Sequence, residues 1–335
     1  MTTMKLTPLP LMGAFHLHYP LYNAVSLRDL VAATNPDIVV TPVLHADAFE
    51  DPAWQDTPEL ALPLAVVPWA SRAGVPVYGV AVPSPDPDAK DDFRRYLKAY
   101  PRILKVLNEV DAILAPLRNL LEAPLTLPRI CSEVLPLFAE HQHRCEETFG
   151  DGPATDWLRE RSQEVIARIH GLGAERVTLL ASAEHLPTLE AALDPDIERL
   201  DPPEIETSEQ AYERSLLDLA MQVTISEPGN VIQQLRELDS AEAHYHEANL
   251  MFANGHLAEA LDLLEHTSQG DFSQPYFLPG YLLARLGLLR DLAGRWAQAE
   301  RAYRGVLALE YAPSEAREAA REGLDKLSTA KVEEA

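Results

Sequence analysis

The sequence predicts an α/β domain with a mainly parallel sheet covered by helices, followed by an all-α domain of helical repeats. Three observations carry this. Up to about residue 205, apolar or β-branched runs of strand length alternate with stretches of helical periodicity. After that point every segment reads as helix. Within residues 206–330 a set of small residues recurs at fixed spacing, the mark of a repeated hairpin.

In chain order, Leu9 to Phe15 is apolar and predicts a first strand, and Ser26 caps a helix through Leu27, Leu30 and Val31 that Asn35-Pro36 ends. The β-branched run Asp37 to Val43 predicts a buried second strand. A helix from about Glu59 to Arg72 closes at Gly74, and Val75 to Val82, with prolines near both ends, gives the third strand. Ser84 to Asp92 is rich in Pro and Asp and reads as a loop. Asp92 to Glu147 has a helical pattern broken by Pro116, Pro124, Pro128 and Pro136. A helix over Asp156 to His170, ended by Gly171 and Gly173, precedes a fourth strand at Arg176 to Ala181 and a short helix at Leu186 to Leu193. Asp201 to Thr207 is a polar linker with two prolines, which sets the domains at 1–205 and 206–330.

Composition narrows the function. At 335 residues the chain is long enough for two cores. The net charge of -24 repels phosphate backbones and anionic lipid, so no nucleic acid and no membrane surface is expected as partner. Two cysteines, Cys131 and Cys145, are too few for a disulfide framework, and no CxxC pair is present. A reduced, cytoplasmic setting is the expectation, with neither a secretory apolar core nor an eighteen-residue apolar span in the sequence.

The repeat is explicit. Ala248, Gly255 and Ala260 recur as Gly287, Gly294 and Ala299 with spacings of seven and five, and Leu264 and Tyr303 each follow four residues later. Small residues also serve ordinary antiparallel hairpins, but two copies with one internal spacing point to a repeat. These features resemble the tetratricopeptide repeat, in which a small residue allows close crossing, a glycine turns the chain, and an alanine packs beneath the next helix. The copies lie thirty-nine residues apart against the usual thirty-four, which places an insertion in Gln269 to Pro279. Ser314 to Leu327 reads as a capping helix, and Ser208 to Asp239 as helices ahead of the first copy. The inner helices are then expected to offer Tyr245, Asn249, Phe252, Tyr281, Leu288 and Asp291 to a peptide or partner protein.

In a parallel sheet, catalytic groups gather at the C-terminal strand ends. The first strand leads into Gly13-Ala-Phe-His16, with His18 beyond; the second is followed by His45 and Asp47; the fourth ends in Ser182-Ala-Glu184-His185. Histidines so placed are candidate ligands for one metal ion. The helix before the fourth strand has an apolar stripe of Leu158, Val165, Ile169 and Leu172, with Arg161 on it and Glu160 at its edge. A charge on that stripe needs a partner or a polar site. Residues two apart on a helix face different ways, so the Glu140–His143 cluster, with His141 and His143, reads as a solvated helix face, and His244 with His246 does not make a paired site for the same reason. Cys145 lacks an activating context, and there is neither a P-loop nor a GxGxxG.

The Gly13–His16 turn, the Glu160-Arg161-Ser162 helix segment and the strand followed by Ser182–His185 resemble the TraB/PrgY and Tiki proteins of the wider erythromycin-esterase/ChaN-like superfamily, over about residues 9–195. The resemblance implies a metal-dependent peptidase-like domain in which His16 and His185 hold the ion and Glu160 and Arg161 belong to the site. Ser182 stands where that family has glycine. Thr41 and Pro42 stand where it usually has an acid, a role left to His45 or Asp47. The expectation is a divalent-metal-dependent hydrolase of peptide or amide bonds, with His16, His185 and His45 as metal ligands. Arg161 steadies negative charge, and Glu160, Glu184 or Asp47 moves protons. The other reading is a non-catalytic scaffold that keeps the α/β fold and binds peptide or protein through its helices.

Overall fold

The computed structural model describes residues 3–83, 101–150, 153–222 and 228–333. The loop expected at Ser84 to Asp92, and the first part of the helical stretch from Asp92, lie outside them. The chain divides into two compact units, Met1–Ala211 and Tyr212–Ala335.

The first unit is built on a sheet of β1 (Met4–Leu11), β2 (Ile38–Thr41), β3 (Val77–Gly79), β4 (Arg176–Ser182) and β5 (Ile197–Arg199), in the order β3-β2-β4-β1-β5. Every pairing is parallel. The α/β class stands, and the strands need two corrections. β1 begins five residues before the expected Leu9 and ends at Leu11, and Gly13–Leu17 is a 3-10 turn rather than strand.

Pro8 and Pro10 are tolerated in β1 because of the side they face. Lys5 donates its N–H to the β4 side, at the Glu175 carbonyl, and the Leu11 carbonyl accepts from Ala183, whereas the Leu6 carbonyl accepts from Leu200 beyond β5. Even-numbered residues therefore point toward β5, which pairs only with Met4 to Leu6. The missing N–H groups of Pro8 and Pro10 fall where, among the described residues, no strand needs them. The Pro10 carbonyl on that side is capped instead by the Tyr22 hydroxyl at 2.7 Å. The second correction is β5 itself, three residues with two exposed side chains, too short and polar to stand out in the sequence.

Alternate strand residues feed two cores, one on each face. Leu9, Val39 and Leu180 pack with Tyr22, Leu27, Val31, Leu62 and Ile130, while Leu6, Val40 and Leu179 pack with Val165, Ile166 and Ile169. The first face is covered by α1 (Ala24–Ala33), whose N-cap is Asn23 rather than the expected Ser26. The Asn23 amide oxygen accepts from the Val25 and Ser26 N–H groups at 3.0 Å each, which puts Ser26 inside the first turn. The helix expected over Glu59 to Arg72 is a π-turn at Leu62–Val66 running into α2 (Val67–Ala73), closed by Gly74 at φ 70°. After it come α3 (Pro101–Asp111), α4 (Ala115–Glu122), α5 (Leu135–Phe149), α6 (Pro153–Gly171) and α7 (Leu186–Ala191).

The remaining helices are α8 (Glu209–Ala220), α9 (Pro228–Leu238), α10 (Ala241–Ala253), α11 (Leu257–Thr267), α12 (Leu278–Leu292), α13 (Trp296–Ala308) and α14 (Ser314–Glu333). The turns after α10 and α12 have the same backbone. Gly255 and Gly294 take φ 86° and 72°, and the residues after them, His256 and Arg295, take ψ 63° and 54°. His256 N–H donates to Met251 O and Arg295 N–H to Arg290 O, five residues back in each case. Ala248, Ala260 and Ala299 are fully buried.

Tyr303 is held between two glycines. A Cβ at Gly287 would stand 2.5 Å from its ring, and one at Gly323 would stand 2.3 Å away. With both sides closed the ring has nowhere to retreat. Gly287→Ala is therefore expected to destabilise this unit by about 1–3 kcal/mol in urea unfolding, as overpacking does. Among the described residues, no helix is long and apolar enough to cross a membrane.

Candidate functional site

Chain direction in the sheet creates a crevice. β2 leads outward to β3 and β4 leads the other way to β5, although β2 and β4 are neighbours. Helices leaving adjacent strands in opposite directions open a gap at their C-terminal ends. A cavity of about 340 Å³ lies there. Pro42, Val43, Pro58, Leu158, Val165 and Leu189 form its apolar wall, and Glu59, Arg161, Ser162, Ser182, Glu184 and His185 supply its polar groups.

Three of the expected site residues, Arg161, Glu184 and His185, thus meet at one cavity. Glu160, on the same helix as Arg161, is exposed and does not line it. His45 and Asp47 are also exposed and outside its lining. The reason is the path of the loop after β2. A Cβ at Gly79 would lie 2.6 Å from the Leu44 carbonyl oxygen and 2.1 Å from that of His45, so this backbone is pressed onto the glycine that ends β3. The loop is drawn toward β3 and away from β4. His18 is exposed as well.

The group that sequence reasoning missed is Glu59. It sits between Pro58 and an apolar run, where it reads as the start of a helix, and nothing in that pattern reveals its depth. In the structure it is 6% exposed. One carboxyl oxygen accepts the Gly13 N–H at 2.7 Å. Gly13 holds φ 58°, a conformation that glycine adopts without strain. Burial raises the Glu59 pKa to about 7, against the lowering effect of the Gly13 hydrogen bond. A carboxyl group in that state can give or take a proton at neutral pH.

His185 and Arg161 are tuned by the same enclosure. Burial lowers the His185 pKa first of all. The Glu184 carboxylate opposes this, Arg161 adds to it, and a hydrogen bond to the Glu184 backbone raises it again. Burial also lowers the Arg161 pKa. The arrangement therefore sets a neutral imidazole, a carboxyl group poised between its two forms and a half-buried cation around one small volume.

His16 does not join them. It is 1% exposed, and both ring nitrogens are engaged by backbone. Nε2 accepts the Met12 N–H at 3.0 Å, which places the ring proton on Nδ1, and Nδ1 donates to the Tyr22 carbonyl at 2.7 Å. Burial drives its pKa down to about 4, with the Tyr22 carbonyl acting the other way. No lone pair is left for a metal ion. Among the described residues, no three His, Cys, Asp or Glu side chains are grouped to hold one. The expected set of His16, His185 and His45 thus does not assemble, and the donors described at the cavity are not grouped to fit a divalent ion.

In the second unit, the residues expected to face a partner divide. Tyr245 is 9% exposed and packs edge-on to His246. The Tyr281 hydroxyl donates to Glu315 at 3.2 Å. Asn249 has a buried side-chain oxygen with no hydrogen-bond partner. Phe252, Leu288 and Asp291 are half-buried, with the Arg285 guanidinium 5.7 Å from the centre of the Phe252 ring. Both cysteines are free, and burial raises both thiols, which leaves Cys145 a poor nucleophile. Compared with protein-family models, curated proteins and solved structures, the chain has no match in any of the three.

Proposed function

We propose that the crevice between β2 and β4 is the acid–base centre of a hydrolase acting on a peptide or amide bond. The observation that carries this is the convergence of a buried carboxyl, a half-buried imidazole and a half-buried guanidinium on one cavity. The likeness of the Gly13–His16, Glu160–Ser162 and Ser182–His185 elements to TraB/PrgY and Tiki proteins supports a peptide or amide bond as the substrate, while the metal-dependent chemistry it implies is not part of this reading.

In this reading the neutral His185 imidazole takes a proton from water as the water oxygen attacks the scissile carbonyl carbon. Arg161 hydrogen-bonds the oxyanion that forms. When the C–N bond breaks, the protonated form of Glu59 gives its proton to the leaving nitrogen, and the imidazolium proton then restores Glu59. Proton transfer of this kind contributes roughly 10²–10⁴-fold to rate. The second unit is a tetratricopeptide-type repeat that brings peptide or protein to the enzyme, supported by the matched turns at Gly255 and Gly294. The free thiols suit a reduced, cytoplasmic setting.

The test is turnover of a peptide and amide panel by wild type, His185→Asn and Arg161→Met, with thermal melts run alongside. Each variant is expected to lose roughly 10²–10³-fold in kcat/KM without losing its fold. A folded wild type that turns over nothing on the panel but binds peptides through the half-exposed Phe252 and Leu288 face would establish the second reading, a non-catalytic scaffold.

A further inference from the structure

We propose that His16 is a positioning residue whose two backbone hydrogen bonds hold the Gly13 N–H on the Glu59 carboxyl group. This rests on the reading of Glu59 as a proton carrier, but the hydrogen bonds stand without it.

The geometry is a chain of contacts through one turn. Tyr22 is tied to β1 by its hydroxyl, which donates to the Pro10 carbonyl at 2.7 Å. Its own carbonyl receives the Nδ1 proton of His16 at 2.7 Å, and the His16 and Tyr22 rings pack with centroids 5.3 Å apart. From that anchor, Nε2 of His16 accepts the Met12 N–H at 3.0 Å. The next peptide, joining Met12 to Gly13, is held at both ends: its oxygen accepts the Phe15 N–H at 3.0 Å, and its N–H donates to Glu59 at 2.7 Å. Met12, with φ -114° and ψ 16°, is the only residue between the histidine bond and that peptide. If His16 releases Met12, only the Phe15 N–H on the Met12 carbonyl is left among these bonds to orient the peptide N–H toward the carboxylate.

The histidine is suited to this because it must accept on one nitrogen and donate on the other. Only the neutral ring does both. Full burial keeps it neutral down to about pH 4. Asparagine can supply the donor to Tyr22 but does not reach Met12, and glutamine can reach Met12 but gives up the Tyr22 geometry. The Gly13–His16 motif is thereby accounted for: a glycine for φ 58° at the donor and a histidine four residues after the N–H that it accepts.

The experiment is a carbon-13 NMR titration of the Glu side chains, without substrate, on wild type, His16→Asn and His16→Gln, with Glu59→Gln to assign the Glu59 signal. In wild type Glu59 is expected to titrate at about 7. In His16→Asn it is expected about one pH unit higher, the effect of losing one hydrogen bond to a carboxylate. His16→Gln should lie between. Hydrogen exchange on wild type supplies a measurement that needs no variant: below about pH 6, where Glu59 already holds its proton, the Met12 and Gly13 amides should lose protection together as the pH falls to about 4 and His16 is protonated. A Glu59 titration unchanged in a folded His16→Asn, or independent exchange of the two amides, overturns the proposal. Tight divalent-ion binding that His16→Asn abolishes would also overturn it, by making His16 a ligand. The predicted shift in a protein that hydrolyses nothing would sink the hydrolase reading alone.

Discussion

Replacing Glu59 with glutamine is expected to stabilise the protein at pH 8.5 by about 3 kcal/mol and to change little at pH 4. The sign follows from proton binding. Glu59 has a folded-state pKa of about 7 against an ordinary value of 4.5, so the folded chain holds the proton more tightly than the unfolded chain does. Its contribution to stability is complete below pH 4.5, falls as the pH rises toward 7, and is lost above it. Two and a half pH units correspond to about 3 kcal/mol at 1.36 kcal/mol each. Glutamine keeps an oxygen for the Gly13 N–H and carries no charge to bury. Urea unfolding of both proteins at pH 4, 6 and 8.5, followed by probes in the first unit, measures the difference. Equal slopes with pH would mean that Glu59 ionises freely and is no proton carrier. A carboxyl group that costs stability at neutral pH is what a functional site retains and a purely structural site replaces.

The second large effect is expected at Arg214. This residue is 5% exposed on α8, donating from Nε to Asp218 at 2.7 Å and from Nη1 to Glu242 on α10 at 2.9 Å. Asp218, Glu242 and the neighbouring His246 are themselves buried. Burial raises the Asp218 pKa to about 6, although Arg214 pulls it down. Removing the arginine strands two acids in the core, so Arg214→Ala should destabilise the second unit by about 3–5 kcal/mol. Replacing Arg214, Asp218 and Glu242 together by apolar residues of similar volume should recover most of that loss, because the larger part of it is unpaired charge. Amide exchange on α10, compared across wild type, single and triple variants, distinguishes the two effects. A triple variant as weak as the single one would place the energy in packing instead.

Much of the framework was legible in the residues. The β-branched run Ile38 to Thr41 and the apolar run Val177 to Ala181 are strands because a strand buried on both faces has no room for a polar side chain without a partner. Gly255 and Gly294 marked turns that share one backbone conformation. Arg161 on an apolar stripe marked a position that faces a cavity. Periodicity reports which face of an element is covered, and that information is local.

The parts that were not legible depend on what lies across the sheet. β1 carries two prolines, and only the short reach of β5 makes them harmless. Ser26 and Asn23 are both good caps, and the choice between them was set by where the chain leaves its turn. His16 and His185 look alike as strand-end histidines. The tertiary structure wraps one in backbone hydrogen bonds and leaves the other at a cavity. His45 was carried away by the approach of its loop to Gly79.

By itself, then, the sequence determined the parallel α/β class, the helical second part, the excess of negative charge, the place of Arg161 on the apolar stripe of its helix and the place of His185 at a strand end. Only the tertiary structure decided that Glu59 is the buried acid of the cavity, that His16 serves the backbone, and that Arg214 is buried against two carboxylates. The physical reason is that residue type and spacing set periodicity and turn chemistry. Burial, hydrogen-bond partners and proton affinity are instead set by residues distant in the chain, such as Gly13 beside Glu59 and Glu242 beside Arg214.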